Sequence, residues 1–291
     1  MSIMNKALAA KIAKAKQVGP DMNEAQTGGG SYTPPPAGKA VRLRLVGYYE
    51  GGTHIEKHGP FKGEKKRKVR LVWELSGGAE KQWDPVQVGD KLVPQRITQE
   101  MNYSLNERAG FYKQFLVMNE AHGGGASIMG ELLGKEFIGD VKNTKSKDGK
   151  RVYADLENIR KAERENENQQ MVPIIVPEPL TELKAFIIDI ADAEMWDDIA
   201  IEGEWPEKKD KDGNVTVPAK SKDVLRDWIR EAVDFDKMPI ADYDKSTRGK
   251  PKEDKAQTAA DEAAMDQALG GADNEPAAEQ TTGGEPDLSM I

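Results

Sequence analysis

The chain has 291 residues, 37% of them hydrophobic, 6% aromatic and 32% charged, with a net charge of −8. That composition supports one modest core flanked by polar segments. Cysteine is absent, which excludes disulfide scaffolds, thiolate zinc sites and thiol nucleophiles, and no run approaches the roughly 18 apolar residues of a membrane span.

In chain order, "MNKALAAKIAKAKQ" is a short basic stretch below the length at which an isolated helix is stable, and it reads as a frayed arm. "GGGSYTPPPAGK" follows, flexible glycines and then stiff prolines, marking a boundary. The expected organisation is an arm and linker over 1–39, a folded domain over 40–240 and a disordered acidic tail over 241–291.

"VRLRLVGYYEGG" alternates Val41, Leu43 and Leu45 with Arg42 and Arg44, the period of a half-buried strand. Tyr48 and Tyr49 then face opposite sides, one toward the core and one presented. "KKRKVRLVWELSGG" is the next strand, with Val69, Leu71, Trp73 and Leu75 on one face and Lys68, Arg70 and Val72 on the other. Residues 41–75 hold nine Lys or Arg against four Glu, a basic patch that the total charge conceals. A third strand is expected from Arg96 onward, because Pro94 limits its start.

The period then changes. Phe111, Phe115 and Met118 fall at helical spacing, and "SIMGELLG" reads as a short second helix. A hairpin follows, with Phe137 and Val141 on its first strand, Asp148 and Gly149 at its turn, and Val152, Ala154 and Leu156 on its return. Tyr153 falls on the opposite face. Leu183–Ile190 reads as an apolar strand, and "SKDVLRDWIREAVDF" as a helix capped by Ser221 with a Leu225, Trp228, Ile229 and Ala232 stripe. That stripe is expected to cover the sheet, with homo-oligomerisation as its alternative use.

The expected fold is therefore mainly β with α additions: an OB-type, five-stranded antiparallel barrel with flanking helices. Such a sheet combines bases for phosphates with aromatic platforms for unstacked bases. Arg42, Arg44, Lys65, Lys66, Lys68 and Arg70 are the candidate phosphate contacts. Tyr48, Trp83, Tyr103, Tyr112 and Tyr153 are the candidate platforms. Enzymatic readings find little. His54 and His58 form a weak metal pair with no cysteine to complete it, and the glycines lack the spacing of a phosphate-binding loop. No catalytic residue, metal or cofactor is expected.

The ordered series "SYTPPPAGKAVRLRLVGYYEGG", "LVWELSGG", "LLGKEFIG", "VYADLENI" and "AFIIDIADAEMWDDI" resembles a group of bacteriophage single-stranded DNA-binding proteins, over most of residues 31–202. The resemblance implies an OB-fold replication or recombination protein that coats exposed single-stranded DNA in the host cytoplasm. It supplies no DNA-contacting residues. The tail is similar to the acidic tails of such proteins, which recruit a polymerase, helicase or primase: from Glu253 onward ten acids face one base, and Glu285 and Asp287 precede the apolar tip Leu288, Met290 and Ile291. It departs from that pattern in lacking a terminal aromatic. The alternative from the residues is a phage virion or assembly protein that works through protein contacts alone.

Overall fold

The structure, a computed structural model, describes residues 33–78, 81–88, 91–146, 149, 152–211 and 214–248. All of them lie in the second of two compact units of the chain, Thr33–Ile291. The elements in order are β1 (Gly38–Ile55), β2 (Lys65–Ser76), a small ribbon of β3 (Val86–Val88) and β4 (Lys91–Val93), β5 (Arg96–Asn102), α1 (Gly110–Ala121), β6 (Glu136–Lys145) and β7 (Val152–Lys161). A second ribbon, β8 (Glu163–Glu165) and β9 (Met171–Pro173), leads to β10 (Lys184–Phe186) and α2 (Ala193–Asp198). Four short strands, β11 (Glu204–Trp205), β12 (Lys208–Lys209), β13 (Val215–Val217) and β14 (Lys220–Ser221), precede α3 (Val224–Arg230) and α4 (Ala241–Thr247).

The main sheet runs β5-β2-β1-β6-β7, every neighbour antiparallel. β6 pairs with β1 only between Gly38 and Arg44. Beyond that point β10 takes the same edge in parallel, Gly47 to Tyr49 against Lys184 to Phe186. The expected barrel is not closed, because β5 and β7 share no ladder. Side chains bridge the seam instead: Gln114 of α1 donates to Gln99 (3.0 Å), and Gln99 donates to the Leu156 carbonyl (3.2 Å). α1 packs against both strands beside this seam.

Two irregularities in the β1–β2 ladder, between Leu45 and Gly47 and between Glu50 and Gly52, shift which face each residue takes. Val41, Leu43, Leu45 and Tyr48 enter a core with Val69, Leu71, Trp73, Leu75, Phe111 and Phe137. Val46, Tyr49 and Val72 enter a second core with Phe186, Trp196, Leu225, Trp228, Ile229 and Phe235. Both tyrosines of the "GYYE" run are thus buried, in opposite cores, where one was expected to be presented.

The apolar run Leu183–Ile190 forms a strand for three residues only and then a 3-10 turn, Ile188–Ile190. α3 begins at Val224, and Ser221 lies on β14, accepting from the Asp223 amide (3.0 Å). Its stripe covers the sheet: the Trp228 ring lies so near Gly51 that an added Cβ would meet it at 2.2 Å. Among the described residues no helix is long and apolar enough to cross a membrane.

Candidate nucleic-acid interface

β1 and β2 join through an exposed hairpin end built on backbone bonds. The Glu56 amide donates to the Glu64 carbonyl (2.9 Å), Gly63 to Glu56 (2.8 Å) and Glu64 to Phe61 (2.9 Å). Gly59 and Gly63 take positive φ, +77° and +90°, with open space around them, a backbone shape that glycine adopts without strain. The turn therefore holds Lys57, His58, Phe61, Lys62 and Lys65 exposed at one end of the sheet. Phe61 is 47% exposed, with the Lys66 ammonium 5.0 Å from its ring. Around it Lys66 pairs with Glu64 (2.5 Å) and Lys57 with Glu231 (3.2 Å).

The six expected phosphate contacts do not share one groove. Arg42 and Arg44 pair with Ser76 and Glu74 at one end of the ladder, Lys65 and Lys66 with Ile55 and His54 at the other. At a strand's rise of about 3.3 Å per residue, Lys66 and Glu74 are roughly 26 Å apart. Only Lys65 and Lys66 belong to the hairpin end. Arg42 is half-buried, with its side chain against Gly77.

Three of the six are consumed inside the protein. Arg44 donates to the carbonyls of Gly134 (2.7 Å), Val176 (2.8 Å) and Pro177 (2.9 Å) and to Glu136 and Glu178 (both 3.1 Å). Lys68 pairs with Glu56 at 2.5 Å. Arg70 pairs with Glu100 (2.9 Å) and lies 4.0 Å from the Trp228 ring centre. Burial pulls its guanidinium below the ordinary value, against the pull of Glu100. These positions alternate like an exposed face, but the segment Val176–Glu178 covers Arg44, Trp228 of α3 covers Arg70, and Lys68 is spent on Glu56. Their assignment as phosphate contacts is corrected accordingly.

Two platforms are corrected on the same ground. Tyr48 is 3% exposed, with its hydroxyl on Glu50 (2.8 Å), and burial, reinforced by that carboxylate, pushes its phenol up. Trp83 is 4% exposed, donates to the Pro36 carbonyl (2.8 Å), and lies over Gly38 and Gly78. Tyr112 on α1 and Tyr153 on β7 are half-buried on separate elements. Tyr103 is half-buried between Phe111, with ring centres 5.0 Å apart, and the Arg67 guanidinium at 4.4 Å. Glu285, Asp287, Leu288, Met290 and Ile291 lie outside the described residues.

Sequence reasoning passed over Phe61 and Arg67. Phe61 carried a signal, an aromatic between Gly59-Pro60 and Gly63 in a basic turn. Arg67 offers no such signal, since its parity in β2 is that of Val69, Leu71 and Trp73. His54 stacks on Trp228 at 5.2 Å and 12°. Burial lowers its pKa. Among the described residues no three His, Asp or Glu side chains converge as metal ligands would. No protein-family model, curated protein or solved structure matches this chain.

Proposed function

We propose that the protein binds single-stranded DNA without sequence preference and protects it during phage replication or recombination. The observation that carries this reading is the hairpin end, where exposed lysines surround an exposed aromatic on a hydrogen-bonded turn. Lysines attract the phosphate backbone, and a ring offers any unpaired base a face to stack on. The strand order supports an OB-type sheet: third, second, first, fourth and fifth long strands, with α1 between the third and fourth. Binding of this kind breaks no bond, so no catalytic group is required. In the same reading the tail from Glu253 to Ile291 contacts replication proteins.

The test is fluorescence anisotropy with a labelled mixed-sequence strand of about 40 nucleotides, enough for several contacts of this kind, and with its duplex across a salt series. The expected result is a strong preference for the single strand and affinity that falls with salt. Equal affinity for duplex would reduce the site to a general phosphate surface. No binding to either would leave protein-only assembly as the better account.

A further inference from the structure

Arg67 sits on β2 opposite Thr53. Its guanidinium is the top of a column: Phe111 in the core, then Tyr103 at 5.0 Å, then Arg67 at 4.4 Å. One edge is held as well, since Nη2 donates to Glu50 Oε2 at 2.8 Å. Glu50 is only 5% exposed and accepts also from the Tyr48 hydroxyl (2.8 Å) and the Ile188 amide (3.2 Å). The backbone is tied at the same place, the Tyr103 amide donating to the Arg67 carbonyl at 2.7 Å.

Every partner in this cluster fixes the orientation of one planar group. Tyr48, expected as a stacking ring, instead holds the carboxylate that aims Arg67. Tyr103, the other expected ring, has Arg67 over it. Yet the Arg67 side chain keeps 35% of its surface open. A rigid, flat cation with an open side is suited to the face of a nucleobase, because guanidinium planes stack on bases as aromatic rings do. Its ion pair with Glu50 compensates its charge, so its contribution to phosphate attraction is small and its plane is what remains to offer.

We infer that Arg67 is the plate on which an unpaired base of the bound strand stacks, with Tyr103 as its support. This rests on the single-strand reading above. It adds to that reading a named binding residue whose effect is separable from charge.

The experiment compares the full chain with Arg67→Lys, Arg67→Ala and Lys65→Ala on the same labelled strand over a salt series. Arg67→Lys keeps the charge and can still reach Glu50, but it loses the plane. The expected result is about tenfold weaker binding with an unchanged salt slope, at the lower end of what loss of one stacked base produces. Lys65→Ala should instead flatten the slope. If the full chain binds and Arg67→Lys binds equally well, the inference is wrong while the function stands. Arg67→Lys binding as tightly as the unaltered chain while Arg67→Ala flattens the salt slope makes Arg67 a phosphate contact and overturns the stacking. If the full chain does not bind single strands, the functional reading falls, and this one with it. Should Arg67→Lys fail to fold, photocrosslinking of a 5-iodouracil strand to the unaltered protein decides: crosslinks on the Arg67 or Tyr103 peptides support the plate, and crosslinks confined to other peptides refute it.

Discussion

The two faces of the β1–β2 pair carry similar alternating patterns and end in different environments. On one face Val69, Leu71, Trp73 and Leu75 fill a core beneath α1. On the other, Lys68, Arg70 and Glu74 alternate with them and look solvated by pattern, yet Arg70 and Glu74 are covered by later segments of the chain and Lys68 is paired with Glu56. Glu74 accepts from the Leu180 and Thr181 amides, both at 2.8 Å, and Arg70 lies against Trp228. Alternation therefore reports that the two faces differ, and does not report that the polar one meets water. A polar residue under cover survives by pairing, because an unpaired buried charge is costly.

The comparison breaks most sharply at Trp196, which is fully buried in the second core and donates to Asp244 at 3.2 Å. Trp196→Ala should cost about 3–5 kcal/mol in denaturant unfolding, the range for removing a large buried aromatic. A single transition is expected, since Val46, Tyr49 and Val72 of the sheet share that core. A biphasic curve, with the sheet surviving the helices, would mean that the second face is a loosely attached layer.

Arg44 comes next. Arg44→Ala removes the donor from three carbonyls and the partner from Glu136 and Glu178, and should cost about 2–3 kcal/mol. Single-strand affinity should stay within about twofold of the unaltered chain, a change worth under half a kcal/mol. A large loss of affinity with unchanged stability would restore Arg44 to the interface.

How much was legible follows from these residues. β1, β2, β5, α1 and the β6–β7 hairpin were readable, because each carries its own period and needs only local neighbours to be recognised. Tyr48 and Tyr49 do take opposite faces, and the expectation that one is presented failed because the second face is itself covered, by Phe186, Trp196 and the α3 stripe. Arg44, Lys68 and Arg70 failed for a similar reason. The partners of Arg44 and Arg70 lie far along the chain, at Val176, Glu100 and Trp228, and that of Lys68 lies across the hairpin at Glu56, so no window of one strand contains them. Trp83 is of the same kind, held by Pro36 from a segment expected to be a linker. Arg67 was missed because the end of a strand does not obey the inside-outside rule of its middle.

Acid offers a gentler test of the second face. Asp234 accepts from the Thr53 amide (2.8 Å) and hydroxyl (2.7 Å), joining the C-terminal segment to β1. Burial alone would raise its pKa, but the Thr53 bonds outweigh it and the net shift is downward. The folded carboxyl thus holds its proton less tightly than the unfolded one. Its stabilisation is present above the ordinary carboxylate value, about 3.9, and is lost as pH falls through the lower folded value. Melting temperature followed from about pH 5 to pH 2, the span that brackets that value, should fall less steeply for Asp234→Asn than for the unaltered chain. Parallel curves would show that this bond contributes nothing to acid sensitivity.

The smallest effects separate the hairpin end from the covered face by salt alone. Lys62 and Lys65 are exposed and Lys68 is nearly covered and paired with Glu56, although Lys65 and Lys68 belong to one basic run. Each phosphate contact on a single strand adds about 0.7 to the slope of log affinity against log salt. The Lys62→Ala, Lys65→Ala double variant should therefore lower the slope by about 1.4, with stability within about 0.5 kcal/mol of the unaltered chain. Lys68→Ala should leave the slope unchanged and lower stability, because Glu56 loses its partner in a poorly solvated position. If Lys68 lowers the slope as Lys65 does, strand binding must break the Glu56 pair, and the covered face would open toward DNA rather than remain a wall behind it.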